Sequence, residues 1–257
     1  MSANTTGRVV GSSTVLDRRA GLVAGASLLT MSVLGGLGNF GAIEALVTPG
    51  DAAQTAADIG ASATQFRLGI AALLAVVVLD IVVSVSLYRV FRAVHENASQ
   101  LAAALRLTYT AVFAVAISHL HGAVRLVTDG SDGLSDEQAA GHALVAIDAF
   151  GDTWDAALVL FGLHLITLAW LLHRSGAGPR WLGPLLALAG LGYLVDSTVA
   201  VLTGDSSPVM SMYTFVGEFA LAVWLVVHGR TKTTSTSAPV GEATSPAPLS
   251  ASASRPE

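Results

Sequence analysis

Ionisable residues lie inside the long apolar runs of this chain, among them Asp80 in Leu68–Phe91, His164 in Phe150–Leu172, Asp196 in Trp181–Leu202 and Glu218 in Val209–Val227. In apolar surroundings a carboxylate or an imidazole can hold a proton or a cation, pair with a base, or ligate a bound group. Each costs roughly a few kcal/mol unless partnered, so such residues are functional candidates by default. Glu44 at the end of the first run, and Arg67, Arg106, His121, Arg125, Asp152 and Asp155 near the ends of others, complete the set. At a helical rise of ~1.5 Å per residue, Asp80 lies ~13 Å in from Arg89, and Glu218 ~15 Å in from His228.

Spacing assigns these residues partners. Arg106 enters the third apolar run at a depth similar to that of Asp80 on the second, and only a short turn joins the two runs. We expect antiparallel neighbours and a buried Asp80–Arg106 pair sharing two hydrogen bonds, whose plainest role is a structural clamp. Glu218 has no Arg or Lys at its depth on its own helix; it is expected to face the interior, with His164 or an Arg of span two or three as partner. Arg106, Thr110, His121 and Arg125 fall within about a third of a helix circumference and make a polar stripe. His119 points away from it, so His119-Leu120-His121 is no chelating pair, and no metal site is expected. Asp148, Asp152 and Asp155 share one helical face, with His164 opposite; this argues against one continuous relay along the run.

The elements that position these residues are membrane helices. The 257 residues are 53% hydrophobic and 12% charged, against about 25% charged in soluble domains. Six runs reach the ~20 apolar residues that cross a bilayer: Ala20–Val47, Leu68–Phe91, Leu101–Val127, Phe150–Leu172, Trp181–Leu202 and Val209–Val227. The fold expected is all-α, a polytopic bundle of six transmembrane helices over residues 19–230, preceded by a short segment (1–18). Ten basic residues (Arg8, Arg18, Arg19, Arg89, Arg92, Arg106, Arg174, Arg180, Arg230 and Lys232) flank one side, against Arg67 and Arg125 on the other. Basic loops stay inside, so both termini are expected in the cytoplasm. Gly21-x-x-x-Gly25 and the glycines at 183, 190 and 192 read as helix packing, with a dimer face as the alternative.

The outer side is acidic, with Asp51, Asp58, Asp129, Asp132, Asp136, Glu137, Asp148, Asp152, Asp155 and Asp205 there or a turn inside. These acids fill loops that exclude arginine, or form a vestibule that concentrates cations. Ser135-Asp136-Glu137-Gln138 has the form of a capping box opening a helix that either runs into span four or breaks near Gly151. Asp17-Arg18-Arg19 before the first run suggests an uncleaved signal anchor more than a twin-arginine leader. The segment 231–257, rich in Thr, Ser, Ala and Pro, is expected to be disordered. The net charge of −5 excludes the basic footprint of a nucleic-acid binder, and the absence of Cys excludes disulfides and thiolate chemistry.

Several segments carry recognisable wording. Phe161-Gly162-Leu163-His164-Leu165, Leu171-Leu172-His173-Arg174-Ser175-Gly176, Pro179-Arg180, and Ala189 through Asp196 follow one another. Gly217-Glu218, Trp224-Leu225 and Gly229-Arg230 come after, with Phe66-Arg67-Leu68, Asp80 and Leu87-Tyr88-Arg89 before. From Arg19 to Arg230 the chain resembles the domain-of-unknown-function 4386 family of bacterial membrane proteins. The resemblance implies six helices, and it places Arg67, Asp80, His164, Arg174, Asp196 and Glu218 at motif positions. His173 stands where the family is expected to have an aromatic residue.

No His-Glu-x-x-His, Gly-x-Ser-x-Gly or phosphate loop is present. An integral membrane protein that is an accessory, sensor or structural component is therefore favoured over an enzyme. A small proton- or cation-coupled transporter built on the intramembrane acids is the alternative, and a membrane-embedded haem or quinone protein centred on His164 is third. No cofactor is expected. The partners expected are the lipid bilayer and either a second copy of the chain or another membrane protein.

Overall fold

The computed structural model describes residues 16–130, 133–204 and 216–230, and within them every regular element is helical. Helix α1 (Arg18–Gly38) is followed by a π-helical turn (Asn39–Ile43) and a 3-10 turn (Glu44–Leu46). Then come α2 (Ala52–Ala61), α3 (Ala63–Phe91), α4 (Glu96–Thr128), α5 (Asp136–Ser175), α6 (Leu182–Thr203) and α7 (Val216–Arg230). Among the described residues five stretches are long and apolar enough to cross a membrane: Arg18–Leu46, α3, α4, α5 and α6. Of the sixth expected span, residues 216–227 fall in α7, and residues 209–215 lie outside the described residues. So do Arg8, Asp132, Asp205, Lys232 and the segment 231–257.

Local chemistry starts and stops the helices where it should. Asp17 caps α1 by accepting from the Ala20 amide at 3.0 Å, so the residue ahead of the arginine pair is a helix cap. Ser135 and Gln138 close both bonds of the capping box, at 3.3 and 2.9 Å. From there α5 runs 40 residues without a break at Gly151 and ends at Gly176, whose φ of 62° suits a residue without a Cβ. At ~60 Å it is about twice the hydrocarbon thickness of a bilayer. The expected fourth span, Phe150–Leu172, is thus the later part of a much longer helix than its apolar run suggests.

Helix α2 was not legible as an element. It is only ten residues long, too short to register as an apolar run of membrane-spanning length. It forms because Asp51 caps it, accepting from the Gln54 amide at 2.9 Å, and because Thr55 and Ile59 are buried where it packs on α5 and α4.

The long helices close into a ring in the order α1–α3–α4–α5–α6–α7, with α7 returning to α1. One end of the ring carries Arg18, Arg19, Arg89, Arg92, Arg174, Arg180 and Arg230; the other carries α2 and most of the acids. The arginine half is packed solid. Leu165, Leu168, Leu171 and Leu172 of α5 meet Leu182 and Leu186 of α6, with Leu221 and Leu225 of α7 in the same core. Backbones touch there: a methyl group on Gly25 would sit 2.7 Å from the Ala222 carbonyl oxygen, and one on Gly229 2.9 Å from that of Arg18. The Gly21/Gly25 pair is therefore spent inside the bundle, between α1 and α7, and offers no dimer face. Nearer mid-bundle, α5 and α6 approach through Gly162 and Gly190, where an added methyl would meet a carbonyl oxygen at 2.6 Å on either side.

Candidate functional site

Above this packed half the ring lines a half-open cavity of about 620 Å³. Every helix of the ring contributes to its wall: Leu28 through Gly35 of α1, Leu73 to Asp80 of α3, Arg106 to Phe113 of α4, Trp154 to Phe161 of α5, Tyr193 of α6 and Glu218 of α7. Asn39, Phe40 and Glu44, from the broken end of α1, line it as well, and Phe40 and Glu44 are exposed. The volume is that of a small-molecule site, and the wall is mainly apolar and aromatic with a few polar groups.

Asp80 and Arg106, 1% and 2% exposed, stand together at one side of this cavity. The expected pair forms, with one difference. Arg106 Nε and Nη2 both donate to the same Asp80 oxygen, Oδ1, at 2.8 and 2.5 Å, and not one to each oxygen as in a parallel fork. The third direction of the guanidinium is taken by His164, whose Nε2 lies 3.3 Å from Arg106 Nη1. His164 Nδ1 is 2.8 Å from the Ala102 carbonyl oxygen. A carbonyl can only accept and an arginine can only donate, so His164 carries its proton on Nδ1 and accepts at Nε2. It is a neutral imidazole with both nitrogens used. His164 is fully buried, does not line the cavity, and has no lone pair to offer a haem iron. Phe161 lies over the guanidinium, 5.3 Å from Cζ to the ring centre, and stacks on the His164 ring.

Neighbouring polar bonds hold α3 and α4 in register for this pair. Ser84 donates to the Ala103 carbonyl and Ser99 to the Tyr88 carbonyl, each at 3.0 Å. Thr110, one turn after Arg106, turns its hydroxyl back to the Arg106 carbonyl at 2.8 Å.

Glu218 lines the same cavity, but its partner differs from both expected ones. The Tyr193 hydroxyl donates to Glu218 Oε1 at 2.8 Å. Neither His164 nor an arginine reaches it, because Arg106 and His164 are already committed to each other. The wall between Glu218 and Asp80 is aromatic. Tyr193 meets Phe161 edge-on at 5.3 Å, Phe161 meets Tyr109 at 4.8 Å, and Trp154 donates its ring N–H to the Tyr109 hydroxyl at 3.0 Å. Phe113 packs on Trp154 at 5.1 Å. None of these aromatics stood out as a site residue. Two carried a signal: Phe161 opens the segment that contains His164, and Tyr193 lies in the glycine-rich segment beside Asp196.

The other candidates are dispersed. Asp155 is half-buried and lines the cavity; Glu44, also lining it, accepts from Asn39 Nδ2 at 2.7 Å. Asp196 is half-buried on α6, away from the cavity lining. Arg67 and Arg125 are exposed at the acidic end, where both approach Asp129, at 3.9 and 3.8 Å. His121 and Asp152 are exposed too. The polar stripe of span three thus splits. Arg106 and Thr110 lie on the buried face with Phe113, Ile117, Leu120 and Val124, whereas His121 and Arg125 sit at its edge and turn outward. Among the described residues no group of three His, Asp or Glu side chains could hold a metal ion.

Residues 23–229 match the family described as "Domain of unknown function (DUF4386)". The chain belongs to the DUF4386 family. A further relative, an uncharacterized protein of Archaeoglobus fulgidus, is 32% identical over 155 residues, covering 60% of this chain and 80% of the relative. Similar sequences therefore extend to an archaeon, beyond the bacteria the resemblance pointed to. No solved structure matches the chain. Within the family match fall all of the cavity-lining residues, from Leu28 to Glu218.

Proposed function

We propose that this DUF4386 protein is an integral protein of the cell's inner (plasma) membrane that binds a small organic molecule in the central cavity and acts as a sensor or accessory component. Its six spans leave both termini in the cytoplasm, with the arginine end inward. The observation that carries the reading is the cavity of about 620 Å³, lined by every helix of the ring. A ligand there touches all the ring helices at once and can bias how they pack, which is what a sensor requires. The backbone-to-backbone packing beneath the cavity favours binding over passage, because carriage needs that end to open too.

Native mass spectrometry of gently purified protein tests this. A small-molecule adduct is expected, together with the oligomeric state, and it should be lost in Leu158→Trp, which fills the cavity from α5. Identical adducts in the two proteins would remove the reading. The transporter alternative is supported by the acids in the cavity wall. Proton or cation flux in liposomes that disappears in Glu218→Gln would put it in place of the sensor.

A further inference from the structure

We infer that the cavity takes an organic cation, an ammonium-bearing molecule with an apolar or aromatic body; this rests on the cavity being a binding site at all. Its charge balance comes first. Four carboxyl groups (Glu44, Asp80, Asp155 and Glu218) and one basic side chain, Arg106, line it. Arg106 gives Nε and Nη2 to Asp80 and Nη1 to His164, so its charge is spent within the wall. An anionic ligand would meet a guanidinium already neutralised, and acids around it.

Glu218 is the second observation. The described ion pairs join Arg67 and Arg125 to Asp129, and Arg106 to Asp80; Glu218 is in none of them. Its Oε1 accepts from Tyr193, and its other oxygen has no hydrogen-bond partner among the described residues. A carboxylate held mid-bundle without a counter-charge is costly, and a bound cation supplies that charge at the place it is missing.

The wall beside Glu218 suits such a ligand. Tyr193, Phe161, Tyr109 and Trp154 follow one another from Glu218 across the cavity. Aromatic faces attract ammonium groups and also hold an apolar body, so one surface serves both parts of the molecule. The exposed Glu44 at the cavity's edge, with the acidic loops beyond, raises the local concentration of cations over anions.

The test uses the full chain in lipid nanodiscs and three probes of matched shape: 3-phenylpropyl-trimethylammonium, its neutral tert-butyl isostere, and 4-phenylbutanoate. Binding is read from tryptophan fluorescence and from the shift in melting temperature, with Trp154→Phe confirming that the optical signal arises in the cavity. The ammonium is expected to bind at least tenfold more tightly than the neutral isostere, with no saturable signal from the carboxylate. Glu218→Gln is expected to erase that preference while the neutral isostere still binds. Because the comparison of probes is made on the unaltered protein, it stands even if the variant does not fold. Equal or tighter binding of the neutral or anionic probe overturns the cation inference and leaves the cavity a binding site. Binding of none of the three overturns both readings.

Discussion

At the scale of the residue, the decisive arrangement is one arginine holding two helices. Arg106 joins Asp80 of α3 to His164 of α5 from its place on α4, and all three side chains are buried. Removing one partner leaves an uncompensated charge, so Asp80→Asn is expected to cost about 3–5 kcal/mol of stability. Adding Arg106→Gln should recover part of that loss, read as a double-mutant cycle by denaturation in mixed micelles. Strict additivity of the two losses would mean that the contact contributes nothing. His164→Leu is expected to cost about 1–3 kcal/mol, because it leaves a buried Arg106 N–H without a partner and the Ala102 carbonyl with its helical bond alone. The Asp80–Arg106 pair was legible from depth and the short turn alone. The part played by His164 was not, because a histidine on span four carries no record of which helix it will face.

At the scale of the element, glycines divide by surroundings that spacing does not show. A methyl group on Gly190 would meet the Gly162 carbonyl oxygen at 2.6 Å, whereas one on Gly151 would meet nothing within 4 Å. Gly190→Ala is therefore expected to destabilise the protein by about 1–3 kcal/mol through forced separation of α5 and α6. Gly151→Ala is expected to stabilise α5 by about 0.5–1 kcal/mol, since a mid-helix glycine gives up more chain entropy than alanine. Melting temperatures of the two variants moving in the same direction would contradict this division. Helix α5 also shows what a capping motif is worth as a signal: Ser135 and Gln138 mark its start, while the apolar run begins 15 residues later, at Phe150. Hydropathy sees only the part of a helix that lies in lipid.

At the scale of the whole molecule, the ring places the arginine end and the acidic end at opposite poles of the cavity. If the bilayer reads those poles as the positive-inside rule requires, a reporter active only outside the cytoplasm and fused after Lys232 is expected to stay silent. Activity would demand an odd number of spans, and with it a different placement of α7. The tight arginine half and the hollow acidic half also divide the labour: one holds the ring together and the other presents the wall of the cavity.

The sequence by itself determined the class, the long apolar helices and the buried ion pair, because those follow from apolar length, helical rise and the cost of charge in lipid. It also marked the helix starts at Asp17 and Ser135. Only the tertiary structure decided which residues share a cavity. Glu44, Asp80, Asp155 and Glu218 come from four different elements, and nothing in their spacing records that α7 closes against α1. The partner of Glu218 was settled in the same way, by the rotation of α6 that turns Tyr193 inward, a packing choice that no local signal encodes.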